Sequence, residues 1–269
     1  MLTTTSADGT QVRAHDEGDG PSIVLVGPGM DDGTRTRKLA ARLSHRFRVL
    51  RLHRRQYRLD LKAAGACTVA QEVEDVLALA RVAGEPVVLY GHSSGGVVAL
   101  EALAFSPAAF AGAVIFEPAV VIDAPLSGEG GHALQRARTA WAEGSVRRAA
   151  DIFYRETIGL PPSASWLAAA FTALHPHYRR LVGCQLDDLE ALDRLGVRLG
   201  AYSALKTPLV LMGGDRSPAH LTERIEAVAG VLPHAERVVM RGRDHGADLK
   251  HSGEVAEIIA ALAVRVLHR

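Results

Sequence analysis

The sequence predicts an α/β fold, a mostly parallel twisted sheet with helices on both faces and a helical cap insertion. Short apolar runs rich in β-branched residues alternate with helical patterns along most of the 269 residues. Parallel strands joined by crossover helices give this alternation. It stops between residues 123 and 202, where the pattern is helical only. A chain of this length buries about 75% of its unfolded surface, so its core needs neither disulfide nor metal.

The first half of the chain supplies most of the predicted sheet. Residues 2–7 and 10–15 alternate about Asp8-Gly9, which predicts a hairpin with a type I′ turn. Thr68 and Gln71 have the spacing of a capping box and open an amphipathic helix that runs to about residue 82. The other predicted elements are strands at 22–26, 48–52, 86–90 and 112–116 and helices at 36–43 and 95–105.

The second half begins with the segment that interrupts the sheet. Helical patterns cover residues 133–142, 146–157, 165–174 and 185–195, and this segment holds both tryptophans and three of the five tyrosines. We predict a cap over the carboxyl edge of the sheet, spanning 123–202, with a core formed by 1–122 and 203–269. Within that core, the remaining predicted elements are strands at 208–212 and 236–240 and helices at 219–230 and 253–267.

Composition narrows the classes of partner. The net charge is +1, from 31 basic and 30 acidic residues, which argues against nucleic acid and membrane surfaces as partners. No apolar run reaches the length of a membrane span, and the N terminus lacks the basic and apolar regions of a signal peptide. Cys67 and Cys184 show neither CxxC nor metal-ligand spacing. We expect a cytoplasmic protein with a small-molecule substrate, no cofactor and no metal; its oligomeric state stays open.

The most informative segment is V-V-L-Y-G-H-S-S-G-G at 87–96. An apolar strand ends at Gly91, Ser93 occupies the centre of a G-x-S-x-G motif, and a helical pattern follows. Such a strand–turn–helix junction exposes a serine hydroxyl above the sheet edge, at the positive end of a helix dipole. Gly91 and Gly95 are expected where the strand and helix pass too close for a Cβ atom. We therefore predict that Ser93 is a nucleophile.

A serine nucleophile needs a base, and the base needs a partner that fixes its tautomer. Of the 12 histidines, His245 alone follows a predicted strand at the right end, so it is the predicted base. Asp215, after the strand at 208–212 and the Gly213-Gly214 turn, is the predicted acid. Glu117 is the rival acid, because it also ends a strand at the same edge.

An acyl-transfer site also needs backbone N–H groups directed at the developing oxyanion. One donor is expected at Ser94, directly after the nucleophile. The other is expected in the loop after the 22–26 strand. Pro28 has no N–H group, so the second donor is Gly29 or Met30.

With these motifs in place, the chain resembles the α/β-hydrolase fold family over nearly its whole length. The resemblance rests on G-H-S-S-G-G at 91–96, G-G-D at 213–215 and D-H-G at 244–246, in the family's serine–acid–histidine order. It implies the family's fold, triad and cap position. Two segments depart from the common pattern. Gly27-Pro28 replaces His-Gly at the oxyanion loop. H-R-R-Q-Y-R at 53–58 replaces an Asp-x-x-Gly-x-Gly-like loop. The arginines of this second loop are either solvated or available to bind an acidic substrate.

The sequence thus predicts a serine hydrolase that cleaves an ester or thioester of a small, largely apolar compound through an acyl-enzyme. Because fold does not fix function, two alternatives stay open. One is a non-hydrolytic enzyme of the same fold, such as a lyase, C–C hydrolase, cyclase or dehydratase of metabolite biosynthesis, that uses the same Ser/His site. The other is a small-molecule receptor without catalysis.

Overall fold

A computed structural model describes residues 1–61, 66–84 and 86–267 of the chain. In these ranges one sheet has eight strands, which are β1 (Leu2–Thr5), β2 (Gln11–Glu17), β3 (Ser22–Val26), β4 (Arg48–His53), β5 (Val87–His92), β6 (Phe110–Phe116), β7 (Leu209–Gly214) and β8 (Glu236–Met240). Their order across the sheet is β1-β2-β4-β3-β5-β6-β7-β8. β1 and β4 both pair with β2 in antiparallel fashion, and the pairs from β4 across to β8 are parallel.

Helices cover both faces of this sheet, as predicted. Those of the sheet region are α1 (Arg37–Leu43), α2 (Val69–Ala83), α3 (Ser94–Phe105), α9 (Ala219–Val231), α10 (Ala247–Lys250) and α11 (Ser252–Leu267). Successive side chains of a strand point to opposite faces. Val24 and Val26 accordingly join the core under α2, α3 and α9, whereas Ile23 and Leu25 join the core under α1 and α11. The predicted fold class is confirmed.

Local signals located most of these elements. The capping box forms as expected, with the Thr68 hydroxyl accepting from the Gln71 N–H and the Gln71 side chain accepting from the Thr68 N–H. The N-terminal turn differs from the prediction. Ser6 N donates to Thr10 O and Gly9 N to Ser6 O, so the loop has three residues and Gly9 takes the left-handed conformation at φ 82°. This is the three-residue hairpin rather than the two-residue type I′ turn.

The segment between β6 and β7 is helical. Its helices are α4 (His132–Ala142), α5 (Val146–Ile152), α6 (Pro162–Leu174), α7 (Pro176–Leu195) and α8 (Leu199–Tyr202). A π-helical turn at Phe153–Thr157 follows α5, where one continuous helix was expected. Small side chains, including Ala140, Ala149 and Ala169, form a separate core between these helices.

A helix that crosses a membrane needs about 20 mainly apolar residues. Over the described ranges, no helix combines the length and the apolar character that such a crossing requires.

Candidate active site

Ser93 occupies a strained turn between β5 and α3. Its backbone has φ 55° and ψ −121°, a conformation that costs a non-glycine residue about 1–3 kcal/mol. Two glycines make the turn possible. A Cβ on Gly91 would lie 2.6 Å from the Cβ of Ala99, and one on Gly95 would lie 2.3 Å from the carbonyl oxygen of Gly27. The expected strand–turn–helix junction is therefore present, with Ser93 9% exposed.

His245 pairs with Glu117 rather than with Asp215. The Nδ1 atom of His245 lies 2.5 Å from Oε2 of Glu117, whose residue is only 1% exposed. The other carboxylate oxygen, Oε1, accepts hydrogen bonds from the Gly214 N–H at 2.7 Å and the Ser217 hydroxyl at 2.6 Å. Two donors thus hold the carboxylate against the imidazole. His245 Nε2 makes no hydrogen bond to any residue that the structure describes.

Asp215 was predicted to occupy that position, and this placement is wrong. Asp215 is exposed, and its Oδ1 atom accepts from the Gly242 N–H at 2.6 Å. The Gly213-Gly214 pair instead leaves space for Glu117 and binds its carboxylate. A Cβ on Gly213 would approach Glu117 Oε1 to 3.3 Å, and Gly214 supplies its N–H. The rival acid, at the end of the neighbouring strand, is the histidine's partner.

Glu117 stays ionised despite its burial. Burial raises the pKa of this carboxyl, but the hydrogen bonds from His245, Ser217 and Gly214 lower it more, so the pKa lies below its ordinary value. The backbone contributes to its placement. Glu117 has a φ of 41°, and its N–H donates to Met212 O at 3.1 Å. A strained turn beside the serine's own strand therefore aims the carboxylate.

The sheet brings Ser93, Glu117 and His245 to one edge. The N–H of Ser93 donates to Phe116 O at 3.0 Å, which joins the serine turn to the end of β6. The His245 ring lies with its centroid 4.6 Å from that of His92, the residue before the nucleophile. Among the described residues no hydrogen bond joins Ser93 Oγ to His245. Catalytic hydrogen bonds often tighten only when substrate is bound.

His92 is fully buried behind the site and has partners of its own. Its Nδ1 atom lies 2.9 Å from Asp248 Oδ2, and its ring stacks on Phe116 at a centroid distance of 4.5 Å. Burial lowers the pKa of His92, although the Asp248 charge opposes the shift. The His92 ring is therefore neutral, and it packs against the His245 ring on the buried side of the site.

The loop after β3 holds Gly29 and Met30, the two candidates for the second oxyanion donor. Asp31 organises it by accepting the N–H groups of Gly33 and Arg35, both at 2.9 Å, and burial raises the pKa of this carboxyl to about 6. Met30 has a positive φ of 58°, and its sulfur accepts the hydroxyl of Tyr154 at 3.6 Å. The helical segment between β6 and β7 therefore touches this loop directly.

Gly29 lies under α7. A Cβ at this position would come within 2.1 Å of Gln185 Oε1, so a larger residue would displace the amide. The Gln185 oxygen in turn lies 3.1 Å from the hydroxyl oxygen of Tyr57.

The arginines after β4 form neither a solvated basic loop nor a receptor for an acidic substrate. Arg54, Arg55 and Arg58 are 0%, 7% and 4% exposed. Each is paired with a carboxylate, Arg54 with Glu72 and Asp188, Arg55 with Asp75 and Asp8, and Arg58 with Asp60. Both interpretations of this loop from sequence were wrong, because the partners of Arg54 and Arg55 lie on distant segments that no local pattern connects to it.

The fold and the site define the class of the protein. A serine at a strained strand–helix turn, beside a histidine–carboxylate pair at the ends of neighbouring parallel strands, is the arrangement of the α/β hydrolases. The model of the alpha/beta hydrolase family matches residues 23–258. The chain belongs to this family, so the resemblance noted from sequence is confirmed.

Solved structures give the same architecture at low sequence identity. An α/β hydrolase from Sphaerobacter thermophilus aligns with a TM-score of 0.80 and 24% identity, covering 97% of this chain and 99% of its own. An esterase from Thermogutta terrifontis has a TM-score of 0.72, 20% identity and 98% coverage of both chains. An esterase from Rhodococcus sp. ECU1013 has a TM-score of 0.70, 22% identity, and coverage of 97% and 98%. Comparison with curated proteins gives no match.

Proposed function

We propose that the protein is a serine hydrolase that cleaves carboxylic esters or thioesters through an acyl-enzyme. The observation that carries the proposal is the contact between His245 Nδ1 and Glu117 beside the Ser93 turn. A carboxylate on Nδ1 keeps the proton there, so Nε2 is free to accept the serine's proton. The family and the presence of esterases among the similar structures support ester cleavage in general terms.

The reaction follows from these roles. Ser93 Oγ attacks the substrate carbonyl carbon while its proton moves to His245 Nε2. The tetrahedral intermediate collapses as Nε2 returns that proton to the leaving alcohol or thiol, whose bond to the acyl carbon breaks. Water then adds to the acyl carbon with its proton taken by Nε2, and Ser93 leaves with the proton restored. Glu117 stays ionised throughout and stabilises the imidazolium.

For the oxyanion hole we propose the N–H groups of Ser94 and Gly29. Ser94 is the first residue of α3, so its N–H is one of those that a helix leaves without an internal partner. Met30, the next residue of the same loop, is the alternative for the second donor. Removing one such donor typically costs about 10²–10³ in kcat.

We propose that the substrate carries a small, largely apolar acyl group. Ser93 is nearly buried, and side chains of the helical segment between β6 and β7 pack on the adjacent loop through Met30. We propose that this segment, residues 123–202, is a cap that limits the length of the acyl chain. The substrate itself is a small molecule, and the chemistry requires no cofactor.

Substitution of the nucleophile tests the proposal. Ser93→Ala is expected to lower kcat for p-nitrophenyl acetate and butyrate by at least about 10³. The midpoint of thermal unfolding should remain close to that of the wild type, because only one hydroxyl is lost. Product analysis on the same esters distinguishes hydrolysis from other chemistry. If Ser93→Ala kept most of the activity, acyl-enzyme chemistry would be excluded, and the proton-transfer alternative of the same fold would replace it.

A further inference from the structure

Arg54 lies under both halves of the oxyanion hole that we propose. Its side chain is completely buried, directly after β4. The Nη1 atom donates to Ser94 Oγ at 2.6 Å and reaches the carbonyl oxygen of Gly27 at 3.4 Å. Ser94 belongs to the serine turn and Gly27 to the loop after β3. One nitrogen atom therefore contacts both segments that carry the oxyanion donors.

Two buried carboxylates fix the guanidinium in that position. Glu72 of α2 accepts from Nε at 3.0 Å and from Nη2 at 2.7 Å. Asp188 of α7 accepts from Nη2 at 2.8 Å, and its second oxygen accepts the hydroxyl of Tyr57 at 2.6 Å. Bidentate pairing of this kind restricts the orientation of an arginine as well as its position. The guanidinium thus behaves as a rigid part of the framework.

The charges in this cluster exclude a direct role in stabilising the oxyanion. Burial disfavours the charged guanidinium, but Asp188 and Glu72 favour it more strongly, and the pKa of Arg54 lies well above its ordinary value. One cation faces two carboxylates, so little positive potential extends from the cluster to the substrate. The contribution of Arg54 is instead to hold Ser94 and Gly27 at a fixed separation.

We propose that Arg54 is a positioning residue of the oxyanion hole, which sets the spacing between Ser94 and the loop after β3. The inference rests on the proposed function, because it concerns the same site. Arg54 also binds Asp188 of α7, so this helix of the proposed cap is linked to the two segments of the hole through the same side chain. A displacement of reacting groups by about 1 Å costs about 10² in rate, so loss of the clamp acts on the chemical step rather than on substrate binding.

The test compares two neighbouring arginines. Arg54→Lys keeps the charge but removes the fork that reaches Ser94 and Gly27. Arg55→Lys is the matched control, since Arg55 is also buried between two carboxylates, Asp75 and Asp8. Within the described residues its side chain makes no hydrogen bond to either segment of the hole. With p-nitrophenyl acetate, Arg54→Lys is expected to lower kcat by about 10- to 100-fold with KM within about threefold. Arg55→Lys should leave kcat within about twofold.

A second variant covers the case in which Arg54→Lys does not fold. Ser94→Ala keeps the backbone N–H and both carboxylate pairs but removes the oxygen that Arg54 holds. It should lower kcat by about three- to tenfold with KM unchanged. Where both variants fold, the double variant should be no slower than Arg54→Lys alone, because both changes break one contact. Equal losses in the Arg54 and Arg55 variants, a change confined to KM, or a Ser94→Ala enzyme as fast as wild type would overturn the inference.

Labelling of the serine separates this inference from the proposed function. A p-nitrophenyl alkylphosphonate is expected to label Ser93 in the wild type and to label Arg54→Lys, or Ser94→Ala where that variant is used, more slowly. If the wild type is labelled and the variant is labelled at the same rate, Arg54 has no positioning role but the serine hydrolase stands. If wild-type Ser93 does not react, the proposed function fails, and this inference fails with it.

Discussion

At the scale of single residues, the choice of acid depends on the length of a side chain and on the donors around it. Glu117 and Asp215 follow adjacent parallel strands, β6 and β7, so both reach the same edge of the sheet. The glutamate side chain crosses the space left by Gly213 and meets the N–H of Gly214. Asp215 is one residue beyond Gly214, and its carboxylate accepts a hydrogen bond from the Gly242 N–H instead.

This difference predicts that two conservative variants differ strongly in kcat. Glu117→Gln keeps the shape but removes the charge that fixes the Nδ1 proton of His245, so kcat should fall by about 10²–10⁴. Asp215→Asn removes the charge from an exposed carboxylate, and kcat should stay within about threefold of the wild type. Steady-state kinetics on one ester, with thermal unfolding to confirm folding, measure both. A larger loss in Asp215→Asn than in Glu117→Gln would restore Asp215 as the acid.

The residues of the site differ in how far sequence can predict them. Ser93 lies in a motif whose flanking strand and helix are encoded locally, and His245 follows the last strand by a short loop. The acid had two candidates, because a strand followed by a turn recurs at 117 and at 215. The available signal for Glu117 was its place at the end of the strand that follows the nucleophile's strand along the chain. The contact between Glu117 and His245 in the folded molecule decides the question.

At the scale of elements, the junction of β5 and α3 places the nucleophile against the loop after β3. Gly95 is the point of closest approach, because a Cβ there would lie 2.3 Å from Gly27 O and 2.6 Å from Val26 O. These are backbone atoms at the end of a central strand and cannot move aside as a flexible side chain can. The first turn of α3 and the proposed oxyanion loop therefore form one rigid unit.

Gly95→Ala tests this unit. The added methyl group should separate the helix from the loop, lower the free energy of unfolding by about 1–3 kcal/mol and lower kcat by about tenfold or more. Gly230→Ala is the matched control, since Gly230 also lies in a helix, α9, and a Cβ there would meet no described atom within 4 Å. It should leave kcat unchanged and stabilise the protein by up to about 1 kcal/mol. Chemical denaturation and ester kinetics measure both effects, and similar behaviour of the two variants would contradict the account.

At the scale of the whole molecule, the sheet is what assembles distant residues. The existence of its strands was predicted from β-branched apolar runs, with bounds that differ from the structure by a few residues. Their order was not predicted, because side-chain periodicity reports which residues are buried and not which strands are neighbours. The helical segment after β6 was predicted for the same local reasons.

The buried arginines show where prediction from sequence ended. H-R-R-Q-Y-R has the composition of a solvated loop, and charged residues are rarely buried unless paired. The partners of Arg54, Glu72 and Asp188, are 18 and 134 residues away along the chain. Such pairing is a property of the folded molecule, and only the structure reveals that these arginines are buried ion-pair partners.

The central claim is that Ser93 is a nucleophile activated by His245 and Glu117, and modification of the protein by a p-nitrophenyl alkylphosphonate tests it most directly. Intact mass and peptide mapping should show one adduct, on Ser93, with release of one equivalent of p-nitrophenol. Glu117→Gln should react at least about 10²-fold more slowly, and His245→Ala more slowly still. An adduct on another residue, no adduct, or equal rates in the wild type and His245→Ala would contradict the account.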